Sequence, residues 1–256
     1  MITSTRRDFL KLTGATLLAM MLGHAIPAAA LASPAIIQNG SRRRPFVALT
    51  FDDCYLVKKL QELERILEDY PEVKITLFPV GTALLNNEGK DPGIWKRYYQ
   101  KGHEFGYHGY DHVNPGVRST AGVVEDYQRW LGALTNVLGG TPRIRFTRPP
   151  FGVVSNSFLE LCNQYSLAIA LWSTGWGGPY GNAAKPISKT HNGDIVLLHI
   201  RTDDINNTRQ GLTTHAQSGL HFVTLSKLYL EYILDIIGNG GCHVPLEDNR
   251  AQECPD

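Results

Sequence analysis

The feature of this sequence that most restricts its fold is a regular alternation between short apolar runs and longer amphipathic segments. Runs typical of buried strands cover residues 46–51, 73–80, 104–107, 143–147, 167–172 and 194–199. Helical periodicity occupies the intervals between them, at residues 57–67, 94–100, 123–137, 155–164 and 223–237. Strands that alternate with helices favour parallel pairing, with the helices packed outside. The alternation therefore predicts an α/β fold, and residues 175–181 and 201–221 are interpreted as loops.

The first 32 residues have the pattern of an export signal. Arg6 and Arg7 precede a modest apolar region, and Ala30-Leu31-Ala32 is typical of a signal-peptidase site. The apolar region is shorter than the roughly 20 residues that a membrane-spanning helix needs. We therefore expect export by the twin-arginine route to the periplasm or the medium, with no stable membrane anchor after cleavage. A single domain is expected over residues 33–256, ending in a short C-terminal extension from about residue 239.

The charge balance argues against a nucleic acid or an anionic membrane as the partner. The chain has 25 Lys+Arg and 24 Asp+Glu, and cleavage after Ala32 would remove Arg6, Arg7 and Lys11 together with Asp8. The remaining net charge of about −1 lacks the clustered positive charge that such partners require. The basic run at 42–44 is interpreted as a solvated linker. The oligomeric state is left open.

All four cysteines lie beyond the predicted signal: Cys54, Cys162, Cys242 and Cys254. None forms a Cys-x-x-Cys pair, so a structural zinc site is not expected. In an oxidising compartment four cysteines allow two disulfides in three pairings, which the sequence does not separate. For Cys54 we expect a thiol that is either buried or in a disulfide.

Two adjacent carboxylates, Asp52 and Asp53, stand at the end of the first apolar run. The C-terminal ends of parallel strands often carry catalytic residues. Neighbouring residues on a strand point to opposite faces, however, so both acids can serve one site only if the backbone turns here. Taken alone, the pair is also typical of solvated loop charges.

His108 and His112 follow the third apolar run. A separation of four residues brings two imidazoles to one face of a helical turn, where they can bind a transition metal. A zinc peptidase would have Glu as its general base after the first histidine, where this chain has Gly109. The distance from His108 to Asp111 along the chain does not suit an iron oxygenase. With a carboxylate from another strand end the histidines form a candidate metal site, and hydrogen-bonded surface histidines are the alternative.

Two further segments are expected to end at the same edge of the sheet. Arg148 begins an Arg-Pro-Pro-Phe-Gly turn, in which Phe151 and Gly152 have the first free amides. Such an amide can stabilise an oxyanion, and an arginine can fix the direction of a carboxylate. His199 ends the run at 194–199, and imidazole is the usual general acid near neutral pH. Taken separately, an ordinary turn and a core histidine are the alternatives.

The order of these motifs resembles the polysaccharide deacetylase family, the family 4 carbohydrate esterases with a chitooligosaccharide deacetylase homology domain. The matching segments are Thr50-Phe51-Asp52-Asp53, His108-Gly109-Tyr110-Asp111-His112, Arg148-Pro149-Pro150-Phe151-Gly152, Trp172 with Trp176, and Leu197-Leu198-His199. They span about residues 44–238, and five weak motifs in order make a strong pattern. The resemblance implies a distorted (β/α) barrel with about seven strands. It also implies metal-dependent removal of N-acetyl groups from an amino-sugar polymer or oligomer, either peptidoglycan or a chitin-like glycan.

The same resemblance implies a role for each candidate residue. A divalent metal, most often zinc and otherwise Co, Ni, Fe or Mn, would have three ligands: Asp53, His108 and His112. Asp52 would be the general base, oriented by Arg148, and His199 would be the general acid that protonates the leaving amine. The amide of Phe151, which replaces the usual Tyr, would share the oxyanion with the metal. Two tryptophans would line the acetyl pocket: Trp172 and Trp176.

Besides Phe151, three positions depart from the family pattern. Cys54 stands where a glycine is usual, so the acidic turn must accommodate a Cβ atom. Gly175 replaces an Asp that tunes the acid histidine, and Ile200 replaces an Asp after that histidine. Asp203 or Asp204 would be the substitute for the missing carboxylate. Two alternatives to an active N-deacetylase stay open: a non-catalytic sugar-binding or assembly protein on the same fold, and a hydrolase of a non-sugar amide or acetyl ester.

Overall fold

The structure is a computed structural model and describes residues 34–175 and 186–238. The predicted signal peptide at 1–32, Trp176 and the predicted extension from about residue 239 lie outside these ranges. Cys242 and Cys254 lie outside them as well.

The described ranges contain nine strands: β1 (Ile36–Ile37), β2 (Phe46–Asp53), β3 (Thr76–Pro79), β4 (Glu104–Phe105), β5 (Phe146–Thr147), β6 (Ala168–Ala170), β7 (Thr174–Gly175), β8 (Ile195–His199) and β9 (His221–Phe222). One sheet has the order β4-β3-β2-β8-β7, with β9 paired to the start of β2, and a second has the order β1-β6-β5. All of these pairings are parallel, as the alternation of strands and helices predicts.

Two isolated bridges join the sheets into a distorted barrel. Tyr107, which follows β4, forms a parallel bridge with Thr147 of β5. Asn39, which follows β1, forms an antiparallel bridge with Asp194, which precedes β8. Strands β2 to β6 and β8 lie at the six apolar runs predicted as strands, β7 is a seventh strand of the wall, and β1 and β9 are two-residue additions. The expectation of a distorted (β/α) barrel is confirmed.

The helices of the described ranges are α1 (Val57–Glu68), α2 (Gly81–Lys90), α3 (Ile94–Gln100), α4 (Thr120–Leu138), α5 (Asn156–Tyr165), α6 (Thr202–His215) and α7 (Leu225–Gly238). Five of them lie where helical periodicity predicted them, but α2 and α6 were not predicted. The interpretation of 201–221 as a loop is wrong over the length of α6. Its buried face includes the polar residues Asp204, Asn207 and Thr208, so the apolar period that identifies a helix is weak there.

The central strand β2 is buried on both faces, as expected for a parallel strand covered by helices. Leu49 and Phe51 belong to the larger apolar cluster, which includes the helix residue Leu60. Ala48 lies on the opposite face of the strand and belongs to a second cluster, which includes Phe78. Each large apolar side chain buried in this way contributes about 1.5–3 kcal/mol to folding. The strand that bears the acids is therefore held by packing on both sides.

The basic run at 42–44 is not a solvated linker. Arg42 Nη1 lies 2.6 Å from Asp194 Oδ1, and Arg43 Nε lies 3.1 Å from Asp235 Oδ2. Ser41 Oγ donates a hydrogen bond of 2.5 Å to the same carboxylate of Asp235. The expectation of a linker is wrong because these contacts join the segment to α7 and to the start of β8.

The two cysteines of the described ranges, Cys54 and Cys162, are buried free thiols. A framework of two disulfides would use all four cysteines and is therefore excluded. Burial raises the pKa of both thiols, so they are held as neutral groups. Among the helices of residues 34–175 and 186–238, none has the length and apolar character needed to cross a bilayer.

Candidate active site

The acidic pair lies at the C-terminal end of β2, where the backbone leaves the extended conformation. Asp53 and Cys54 both have φ of 63°, in the left-handed region. This turn breaks the alternation of the strand, so that Asp52 Oδ2 and Asp53 Oδ1 both approach His108 Nε2, at 3.7 and 3.5 Å. The turn that the sequence required for a shared site is present, and Cys54 takes part in it without being a glycine.

The acidic turn is held by a side chain from α2. Asn87 is fully buried, and its Nδ2 donates a 2.7 Å hydrogen bond to the carbonyl oxygen of Cys54. The amide of Val80, just before α2, donates to the carbonyl of Asp53 at 3.2 Å. Because left-handed backbone is unfavourable for residues other than glycine, these contacts contribute to keeping the turn in place.

His108 and His112 lie on a non-helical loop after β4, so the expected helical turn is wrong. Gly109 has φ of 84° and His112 has φ of 55°, which reverse the chain between the two rings. The rings still meet, with their centroids 5.0 Å apart. Position 109 suits glycine for a second reason, since a Cβ atom there would lie 3.2 Å from Pro150 Cγ.

The loop that carries the histidines is anchored by Asp126 of α4. The buried Asp126 Oδ1 accepts hydrogen bonds from Tyr107 Oη at 2.6 Å and from the Tyr110 amide at 2.7 Å. Arg118 Nη1 lies 3.1 Å from the other carboxylate oxygen. Sequence reasoning missed this residue. The available signal was a charged residue on the apolar face of the predicted helix, between Val123 and Trp130.

Asp53, His108 and His112 bring three potential ligand atoms within 4.8 Å of one another. Asp53 Oδ1 lies 3.2 Å from His112 Nε2, is buried, and has no hydrogen-bond partner in the described residues. His108 Nδ1 lies 2.7 Å from the carbonyl oxygen of Arg148, which fixes the tautomer that leaves Nε2 free. Two imidazoles and a carboxylate with an unsatisfied buried oxygen are a donor set that fits Zn²⁺ or a similar divalent metal.

The protonation states of Asp53 and His112 suit the same use, whereas the charges of Asp52 and Asp53 outweigh burial and raise the pKa of His108. Burial raises the pKa of Asp53, but the interactions with His108 and the charge of His112 outweigh it and lower the pKa to about 2. Burial and the charge of His108 lower the pKa of His112, which favours the neutral imidazole. Ligands must be deprotonated to bind a metal, so the ionised carboxylate and the neutral ring are the forms required.

Asp52 is held by a fully buried arginine. Arg148 Nη1 lies 2.7 Å from Asp52 Oδ1. The guanidinium also donates to three other oxygens: Thr50 Oγ1 at 2.8 Å, Ala170 O at 2.8 Å and Leu171 O at 3.0 Å. Because every nitrogen of Arg148 has a partner, its position is fixed. Asp52 Oδ1 is therefore committed to Arg148, while Oδ2 faces the histidine side of the site.

His199 ends β8 in register with Asp52 on the neighbouring strand. Its backbone amide donates to Asp204 Oδ2 at 2.8 Å, and its ring Nδ1 lies 4.0 Å from the same oxygen. Nδ1 is buried and has no hydrogen-bond partner within the described ranges. Burial lowers the pKa of His199, while Asp52 and Asp53 raise it by a smaller amount. Of the two substitutes named from the sequence, Asp204 approaches the ring, and Asp203 is exposed.

Phe151 and Trp172 place aromatic surface beside these groups. Phe151 lies in the 3₁₀ turn Pro150–Gly152 with φ of 61°, is 59% exposed, and packs its ring edge to face on His112 at 4.6 Å. Trp172 is partly buried, and its ring lies 5.8 Å from the Arg148 guanidinium. A Cβ atom on Gly152 would come within 3.0 Å of the Trp172 ring, so glycine lets the turn approach it.

The family model described as polysaccharide deacetylase matches residues 39–170. A peptidoglycan-N-acetylglucosamine deacetylase of Listeria monocytogenes is 31% identical over 197 residues, which are 72% of this chain and 39% of that protein. The chain thus spans less than half the length of this relative.

Solved structures show the same fold. A family 4 carbohydrate esterase from Bacillus anthracis has a TM-score of 0.64 at 20% identity, covering 90% of this chain and 95% of that chain. A wild-type family 4 pseudoenzyme from the same organism has a TM-score of 0.66 at 21% identity, covering 78% of this chain and 70% of that chain. At such identities the likeness concerns the fold alone.

Proposed function

Because this chain belongs to the polysaccharide deacetylase family, we propose that it is a metal-dependent N-deacetylase of acetylated amino sugars, either peptidoglycan or a chitin-like polymer or oligomer. The observation that carries the proposal is the convergence of a candidate metal site, an arginine-bound carboxylate and a histidine at one end of β2 and β8. Export by the twin-arginine route to the periplasm or the medium is part of the proposal, since it would bring the enzyme to such glycans.

Three side chains would hold the metal, with Zn²⁺ as the first choice: Asp53, His108 and His112. When bound, such a metal lowers the pKa of water toward about 7 and polarises the amide carbonyl. The carbonyl of Arg148 and the carboxylate of Asp126 keep the histidine loop in the geometry that this requires.

Asp52 acts as the general base in this proposal. Arg148 fixes one carboxylate oxygen at 2.7 Å, and the other oxygen accepts a proton from the attacking water. His199 then gives a proton to the nitrogen of the sugar as the C–N bond breaks, so that acetate and a free amine leave. Each such proton transfer contributes about 10²–10⁴-fold to the rate.

Phe151 and Trp172 complete the proposed substrate site. The turn Pro150–Gly152 would direct the amide of Phe151 toward the oxyanion. The partly buried ring of Trp172 would contact the acetyl methyl group, with Trp176 as the second member of the pocket.

A second candidate function is sugar binding without turnover. It is favoured by the unpaired Nδ1 of His199, since a general acid with no partner for its ring is poorly oriented. The fold is also found in the pseudoenzyme from Bacillus anthracis.

Release of acetate distinguishes the candidates. The chain loaded with Zn²⁺ is incubated with acetylated chitooligosaccharides, peptidoglycan and acetylated hemicellulose, and acetate is measured. We expect release from one of the first two, abolished by a chelator and restored by added Zn²⁺. Binding of acetylated glycans without release, by protein that holds metal and is folded, would support the second candidate. Release from acetylated hemicellulose alone would instead indicate an ester hydrolase.

A further inference from the structure

His199 and Asp204 present two buried polar atoms that lack partners and stand next to each other. His199 Nδ1 and Asp204 Oδ1 both have no hydrogen-bond partner among the described residues. The side chain of Asp204 is 1% exposed, and its Oδ2 already accepts the backbone amide of His199 at 2.8 Å. An imidazole nitrogen can donate to a carboxylate, so the two groups are chemically complementary. Unpaired buried polar atoms are rare, because each one costs folding free energy.

The separation requires only a small adjustment. Nδ1 lies 4.0 Å from Asp204 Oδ2, and a hydrogen bond of about 2.8 Å needs a shift of roughly 1 Å. Rotation of the imidazole about its last side-chain bond can supply such a shift without moving β8 or α6, because that torsion is broad.

Within residues 34–175 and 186–238, no other carboxylate near His199 is free for this use. The charged and titratable groups that interact with His199 include Asp52, Asp53, Arg201, His108 and His112. Asp52 is bound by Arg148, and Asp53 lies with the two metal-site histidines. The charged groups that face Asp204 are Arg201 and Asp203.

Position 175, where the family pattern has a carboxylate, cannot take one in this backbone. Gly175 pairs with Leu197 of β8. A Cβ atom on Gly175 would lie 2.9 Å from Leu197 Cβ and 3.1 Å from the Leu197 carbonyl oxygen. A side chain there would therefore require the strands to separate.

We propose that Asp204 is the positioning residue of His199: its carboxylate, anchored on the His199 amide, accepts the Nδ1–H of the ring and directs Nε2 to the leaving amine. This inference rests on the proposed deacetylase function. A carboxylate in this position selects the tautomer and stabilises the imidazolium form. Asp204 lies on α6, so the helix that sequence periodicity did not show would supply the missing partner of the acid.

The test compares Asp204→Asn with Asp203→Asn in the full chain loaded with Zn²⁺. Both variants replace a carboxyl group in the first turn of the same helix. Asp203 is exposed, whereas burial raises the pKa of Asp204 to about 7, so the variants are compared at pH 8, where Asp204 is ionised. For Asp204→Asn we expect kcat to fall by about 10–100-fold, the usual effect of removing an outer carboxylate from a functional histidine. KM should stay within about twofold, since substrate contacts are untouched. The alkaline limb of the pH–rate profile should move to lower pH, because the protonated ring loses a stabilising charge.

Asp203→Asn should resemble the wild type in all three measurements. If Asp204→Asn lowers only the melting temperature and leaves kcat and the pH profile as in Asp203→Asn, the carboxylate merely caps the backbone and the inference is wrong. Asp204→Ser, smaller and also neutral, replaces Asp204→Asn if the latter does not fold.

A second measurement does not depend on activity. Ring ¹⁵N spectra, with His199 assigned by the signal lost in His199→Gln, report its tautomer and its titration. We expect an Nδ1–H tautomer and a higher titration midpoint in wild type and Asp203→Asn than in Asp204→Asn. If the wild type releases no acetate, the proposed function fails while these spectra still decide the inference, and identical His199 signals in all three proteins would overturn it.

Discussion

Replacing Arg148 by Met tests whether the buried ion pair with Asp52 organises the site. Arg148 is completely buried and Asp52 is 5% exposed at its side chain, so the substitution leaves a carboxylate without its 2.7 Å partner in a place that water hardly reaches. Breaking a buried ion pair by removing one partner costs about 3–5 kcal/mol. The carbonyl oxygens of Ala170 and Leu171 also lose their guanidinium donors, which adds about 1 kcal/mol or more. We expect Arg148→Met to lower the free energy of unfolding by at least about 4 kcal/mol.

The double variant gives the sharper result. Asp52→Asn alone keeps an oxygen that can accept from Arg148, and it should cost less than Arg148→Met. Adding Asp52→Asn to Arg148→Met removes the unpaired buried charge, so the double variant should be more stable than Arg148→Met by about 1–3 kcal/mol. Urea unfolding of metal-free protein at pH 8, followed by tryptophan fluorescence, measures these differences. A cost below about 1 kcal/mol for Arg148→Met, or a double variant less stable than Arg148→Met, would refute the ion pair as the organising contact.

Three further experiments test other parts of the site and fold. Asp53→Ala should abolish Zn²⁺ binding, as measured by the metal content of the purified protein. Asp52→Asn should keep the metal and lower kcat for acetate release by about 10²-fold or more. Near-normal turnover of Asp52→Asn would show that another group is the base. Asp126→Asn should weaken Zn²⁺ binding by about 10–100-fold in competition with a chelating dye, because the Tyr110 amide and Arg118 lose their anionic partner. As a control, Glu125→Gln at the exposed neighbouring position should leave Zn²⁺ affinity unchanged. Equal Zn²⁺ affinities of Asp126→Asn and the wild type would contradict an anchoring role. His103 is buried, accepts the Ile75 amide at its Nδ1, and has a pKa lowered to about 4 by burial and by Lys74 and Lys101. As the pH falls, His103 is protonated in the unfolded chain, near pH 6.5, before it is protonated in the folded protein. The free energy of unfolding is therefore unaffected above pH about 6.5 and decreases by about 3 kcal/mol as the pH drops to about 4. Unfolding free energies from pH 4 to 7 should show this loss in the wild type and much less of it in His103→Gln, and parallel curves would exclude His103 as the cause.

Apolar periodicity in the sequence was sufficient to predict the strands and helices that bury apolar faces. The helix predicted at 94–100 has the same bounds as α3, and the strand predicted at 46–51 extends in the structure only to include the two acids of β2. The strand predicted at 73–80 is longer than β3. Val73 and Ile75 extend the apolar run because they are buried, but they do not belong to the β-ladder. The two-residue strands β1, β7 and β9 were not predicted, because so few residues show no period. β4 and β5 are equally short, but they lie within the longer predicted runs 104–107 and 143–147.

The sequence named Asp52, Asp53, His108, His112 and His199, which lie together in the structure, but it did not give their geometry. The separation of His108 and His112 suggested a helical turn, whereas the rings meet through left-handed backbone at Gly109 and His112. Glycine made the first of these conformations foreseeable. The second lies in a loop that is anchored by Asp126, 14 residues beyond His112, through a hydrogen bond from the Tyr110 amide. A contact between distant segments leaves no local pattern in a single sequence.

Three segments of the candidate site are each held by a polar side chain from a helix, and this explains why two of these helices were not predicted from the sequence. Asn87 of α2 bonds the acidic turn, Asp126 of α4 bonds the histidine loop, and Asp204 of α6 bonds the end of β8. Each of these polar residues is buried and forms a hydrogen bond with the backbone of the site. It therefore occupies a position on the inner face of its helix that would otherwise be apolar, which weakens the apolar period of the helix. The 19-residue α4 has enough apolar positions left to remain visible, whereas α2 and α6 do not. Apolar periodicity therefore missed two of the three helices that anchor the candidate site, so polar segments after strand ends in a fold of this kind are the places to search for positioning residues.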